Sequence, residues 1–86
     1  MERRLYVIYD VEGGVFGPPM EGRNDIIAMR HFMDGLRTSP LPQDMKDKMD
    51  LYYWGSMDDE TGDFSFSRTF IPRAPLKNPE DLTDVM

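Results

Sequence analysis

The stretch Leu51-Tyr52-Tyr53-Trp54-Gly55-Ser56-Met57-Asp58-Asp59-Glu60-Thr61-Gly62-Asp63-Phe64 decides how this chain folds. Bulky, β-prone residues fill residues 50–57, and a second such run fills 64–70. Between them lies a polar segment that ends in Gly62-Asp63. Glycine accepts positive φ, so the pattern predicts two antiparallel strands joined by a turn that Gly62 closes in the left-handed region. The acidic loop also invites a calcium reading. An EF-type loop needs alternating oxygen ligands, glycine at the sixth position and a bidentate glutamate at the twelfth. Here glycine comes too early and position 69 is threonine, so a turn held by Asp58 or Asp59 on its own N–H groups is the better reading. In the second run Phe64, Phe66, Arg68 and Phe70 alternate with Ser65, Ser67 and Thr69. That pattern predicts one buried face, carrying the phenylalanines, and one wet face.

Working toward the N-terminus, residues 4–11 hold Leu5, Tyr6, Val7, Ile8 and Tyr9, a strand apolar on both faces. Glu12-Gly13-Gly14 predicts a turn, Val15-Phe16 a short return strand, and Pro18-Pro19 the end of pairing, because proline donates no N–H. Asn24 is suited to cap a helix over residues 25–36, with Asp25 complementing the dipole. Ile26, Met29, Met33 and Leu36 form the predicted buried stripe, widened by Ile27, Ala28 and Phe32. Gly35 and Thr38-Ser39-Pro40 mark its end, and Pro42 opens a short helical piece reaching residue 45 or 48. The expected class is α+β: a small antiparallel sheet of two hairpins in the order β-β-α-β-β, with one main helix packed on one face. Residues 1–76 make a single domain and residues 77–86 a flexible acidic tail.

The 86 residues bound the size of any core. A chain this short buries about 60–65% of the surface it exposes when unfolded, so association would add useful stability. Cysteine is absent, which removes disulfides and thiolate metal sites. No run reaches the roughly 20 apolar residues that span a bilayer, and the N-terminal run, broken by Asp10 and Glu12, does not read as a signal peptide. The formal net charge is −6: residues 1–42 carry five basic and six acidic side chains, residues 43–86 five and ten. That balance opposes nonspecific nucleic-acid binding, since like charges repel at long range.

Chemistry-bearing motifs are few. His31 is the sole histidine and reads as a helix-surface residue. No nucleophile–base arrangement, phosphate-cradling glycine loop or located carboxylate pair is present, so no catalytic residue, metal ligand or cofactor is expected and the chain reads as a non-enzyme. Two features suggest binding. Tyr6, Ile8, Tyr52 and Trp54 form an expected exposed patch opposite the helix, suited to a homodimer contact, to packing against the chain's own proline-rich tail, or to stacking on single-stranded bases. Arg23, Arg30 and Arg37 recur every seven residues and read as a basic helix face.

These pieces together resemble the small nonstructural protein of gokushovirus-type microviruses, phages with single-stranded DNA. The resemblance is carried by Ile8-Tyr9-Asp10, Pro18-Pro19, Ala28-x-Arg30-x-Phe32-x-Asp34, Leu51-Tyr52, Gly55 and Asp58-Asp59-x-Thr61-Gly62-x-Phe64, over about residues 5–75. It departs at Met20, where the family often has phenylalanine, and at Ser56-Met57. The resemblance implies a non-enzymatic phage protein acting in the host cell cytoplasm, absent from the mature virion, in single-stranded DNA synthesis and genome packaging. A dimeric adaptor between replication initiator and procapsid is the expected role. Direct single-stranded DNA binding and inhibition of a host protein are the alternatives.

Overall fold

The structure, a computed structural model, describes residues 1–73; the expected tail at 77–86 lies outside them. Its elements are β1 (Glu2–Asp10), β2 (Val15–Phe16), β3 (Met20–Gly22), α1 (Asp25–Thr38), α2 (Gln43–Lys46), β4 (Met49–Asp58) and β5 (Phe64–Ile71). The sheet is antiparallel in the order β2-β1-β4-β5, with β3 also paired to β1. The two predicted hairpins are present and are joined through β1 and β4.

The third strand is a correction. Pro18 and Pro19 interrupt pairing without ending it. Gly17 N–H bonds Ile8 O at 2.8 Å, the prolines cross a gap that asks for no donor, and Met20 then re-pairs with Tyr6.

Asn24 caps α1 as its sequence position predicts: its Oδ1 accepts from Ile27 N–H at 2.8 Å. The helix passes through Gly35 and ends at Thr38, two residues beyond the predicted end. Thr38 Oγ1 bonds Asp34 O, and Ser39 N–H bonds Leu36 O. The buried stripe is also corrected. Ala28, Met29 and Phe32 are buried, with Leu36 packed beside them, whereas Ile26 and Met33 are exposed. These residues meet Tyr6, Leu51 and Ile71 from the sheet, with Ile8, Met49 and Tyr53 around them. Close approach of helix and sheet requires Gly22, because a Cβ there would lie 2.9 Å from the Tyr6 ring and 3.2 Å from Ala28 Cβ.

The 58–63 loop is a turn that holds itself. Gly62 has φ +79° and donates to Asp58 O at 2.7 Å. Asp58 Oδ1 accepts from Glu60 N–H at 2.8 Å.

Candidate interaction surface

In antiparallel pairing, directly opposed residues share a face of the sheet. Tyr6 opposes Tyr53 and Ile8 opposes Leu51, whereas Val7 opposes Tyr52, which in turn opposes Phe70. The first set lies beneath α1 and the second faces away from it. The expected patch of Tyr6, Ile8, Tyr52 and Trp54 is therefore split between two faces. Tyr6 is 1% exposed and belongs to the core, with Ile8 packed against that core. Tyr52 and Trp54 belong to the open face.

The open face carries more aromatic residues than the sequence reading assigned to it. Tyr9 packs on Phe16 with centroids 4.5 Å apart, Phe16 on Tyr52 at 5.6 Å, and Tyr52 on Phe70 at 5.7 Å. Trp54 packs on Phe64 in a tilted contact, with centroids 4.9 Å apart. Phe16, Phe64, Phe66 and Phe70 are 45%, 42%, 55% and 48% exposed. The burial expected for the phenylalanine row of β5 is overturned: the strand is exposed on both faces from Phe64 to Phe70, only Ile71 is buried, and the phenylalanines lie on the side away from α1. The signal for this surface was the Phe64/Phe66/Phe70 alternation itself; what it lacked was the phase relative to the helix.

Two irregularities aim this face. Pairing shifts between Tyr53 and Gly55 and, on the other side, between Leu5 and Tyr6. At the first shift Arg68 adopts φ +53°, a region that a non-glycine residue enters at a cost of roughly 1–3 kcal/mol. Gly55, at φ +150°, lets β5 approach; a Cβ there would collide with Ser65 O and lie 2.8 Å from Phe64 Cζ. The irregularity turns Trp54 onto the open face. There Val7, Phe16, Pro19, Trp54, Phe66 and Arg68 line a hollow of about 200 Å³.

Charge on the open face is mixed. Arg3 is held by Glu21 at 3.0 Å and by Asp59 at 3.1 Å, and those two carboxylates raise its pKa. A hydrogen bond from the Met1 amino group is the main cause that lowers the Asp59 carboxyl below its usual range. Asp50 opposes Tyr9, and the Arg68 guanidinium lies 5.9 Å from the Phe66 centroid.

The arginine row is on the other side of the molecule. Arg23 precedes the cap of α1 and is not part of the helix. Arg30 and Arg37 are exposed on α1, and Arg37 pairs with Asp34 at 2.8 Å. One bound strand cannot lie across the aromatic rings and these arginines together. Arg4 is likewise engaged on the helix side, where it bonds Asp25 and Tyr6 Oη and sits 4.1 Å over the Tyr53 ring. His31 is exposed and lines an apolar hollow of about 380 Å³ with Ile8, Met20, Phe32, Leu36 and Met49.

A family model described as Phage ORF5 protein matches residues 3–74. The chain belongs to the phage ORF5 protein family. The match spans every strand and both helices, including the turn at 58–63 and the whole of the aromatic face. No curated protein and no solved structure matches this family member.

Proposed function

We propose that this phage ORF5 family protein is a non-enzymatic, nonstructural protein of a microvirus-type phage. It acts in the host cytoplasm during single-stranded DNA synthesis and genome packaging and is not kept in the mature virion. Its role is that of a dimeric adaptor between the replication initiator and the procapsid. The observation that carries this reading is the uncovered aromatic face of the sheet. A patch of this kind on a small chain marks a binding surface, and its mixed charge suits protein more than phosphate backbone. The resemblance in the Ile8-Tyr9-Asp10 and Asp58–Gly62 motifs supplies the phage context.

A second reading, direct binding of single-stranded DNA, is favoured by the ring row from Phe16 through Tyr52 to Phe70. Bases stack on such rows at about 1–3 kcal/mol each. Against it stand the net charge of −6 and the placement of Arg30 and Arg37 on the opposite side.

Affinity purification of the tagged full chain from infected cells tests the adaptor. Recovery of the replication initiator or capsid proteins supports it, and recovery of host proteins alone rejects it in favour of a host inhibitor. Titration of Trp54 fluorescence with oligodeoxynucleotide at low salt, where phosphate binding is strongest, tests the second reading. An unchanged signal rejects that reading.

A further inference from the structure

We infer that the open sheet face is covered by a second copy of this chain, the two sheets packing face to face about a two-fold axis. The inference rests on the reading of this face as the working surface and names its first occupant.

Area is the first argument. An aromatic side chain carries about 150–250 Å², so four phenylalanines each near half exposure present about 400 Å². Tyr9, Tyr52 and Trp54 between them, with Pro19 at the rim, extend the face toward the ~800 Å² per partner of a standard interface. A patch of about 300–600 Å² is the largest that a typical monomer carries, and it is often a functional contact surface. Among the described residues no element covers this face, since α1 already buries Ala28, Met29 and Phe32 against the other one.

Charge is the second argument. Arg68 and Asp50 bring opposite signs to one face, and Arg3 there is already paired with Glu21 and Asp59. An isologous contact places a surface on itself, so balanced charge is what it requires. A phosphate-binding face would carry cations in excess.

Shape is the third. The hollow bounded by Val7, Phe16, Trp54 and Phe66 measures about 200 Å³, more than the roughly 150 Å³ that holds a benzene ring. A phenylalanine of the second copy fits it, and symmetry fills the equivalent hollow in return. Packed sheets lie about 10 Å apart with strands rotated by about 30°, which lets the two ring rows interdigitate.

Sedimentation equilibrium of the full chain tests this, with two variants matched in exposure. Phe66 is 55% exposed on the open face and Ile26 is 56% exposed on the helix. The wild type sediments as a dimer. Phe66→Glu weakens it by at least about thirty-fold, the effect of a central interface aromatic, with an unchanged circular dichroism spectrum. Ile26→Glu leaves the dimer intact. A second open-face variant, Phe70→Lys, repeats the effect should Phe66→Glu lose its fold. A monomeric wild type overturns the inference, as does a dimer broken by Ile26→Glu and indifferent to both phenylalanine variants. A wild type that stays monomeric and shifts its Trp54 emission on adding oligodeoxynucleotide assigns the face to nucleic acid and equally overturns it. The adaptor role fails separately: a confirmed dimer that recovers no phage protein from infected cells keeps this inference and rejects that role.

Discussion

Tyr6 Oη donates a 2.7 Å hydrogen bond to Asp25 Oδ1, which ties the central strand β1 to the first turn of α1. The same carboxylate oxygen accepts from Arg4 at 2.7 Å, and Arg4 Nε donates to Tyr6 Oη at 2.9 Å. A buried phenol thus finds partners at a point where polar groups anchor the helix to the sheet.

Removing the hydroxyl leaves Asp25 with one fewer donor and keeps the ring in the core. Tyr6→Phe therefore destabilises the fold by about 1–2 kcal/mol, read from urea denaturation midpoints. Tyr6→Ala removes the ring as well and costs about 3–5 kcal/mol. Equal midpoints for Tyr6→Phe and wild type would show the bond to be energetically silent.

Burial is the largest influence on the Tyr6 phenol. With the hydrogen bond to Asp25 adding to it and Arg4 opposing it, the pKa is pushed up to about 12 from 10.0. The folded state holds this proton more tightly than the unfolded state. Its contribution to stability is complete below pH 10 and is lost as pH rises through about 12. Urea stability of the wild type should decline across that window more steeply than that of Tyr6→Phe. Parallel declines would exclude Tyr6 as the titrating group.

Gly55 and Gly62 both hold positive φ, with different surroundings. At Gly55 a methyl group meets Ser65 O and the Phe64 ring, whereas at Gly62 it meets open space. Gly62→Ala should cost about 1 kcal/mol of backbone strain. Gly55→Ala adds steric collision and should cost at least about 3 kcal/mol or prevent folding. Thermal melts of the two variants check the order.

Met29 is 2% exposed and Met33 is 40% exposed. Met29→Ala should lower stability by about 2–5 kcal/mol and Met33→Ala by less than about 1 kcal/mol. Comparable losses would restore the stripe through Met33 that helical spacing alone suggests.

Local chemistry accounts for what was legible in the sequence. Asn24 caps α1, Gly62 closes the hairpin turn, and Gln43–Lys46 forms the short helix after Pro42. Each needs only neighbours a few residues away. The return of pairing at Met20 was not legible, because Pro18-Pro19 carries the local signature of an end. The membership of the aromatic face is not legible either: both faces of β1 are apolar, so alternation alone does not separate the Tyr6 side from the Tyr52 side.

By itself, then, the sequence determined the elements other than β3, their order, the two hairpins and the family pattern, since propensity, capping and turn residues act at short range. Only the tertiary structure decided which side of each strand the helix covers. That choice depends on the register of β1 against β4 and on the irregularities at Trp54 and Arg68. A shift of one residue there sends every following side chain to the other face. The phenylalanines of β5 face outward for this reason, and so the surface that distinguishes this protein arises from long-range pairing.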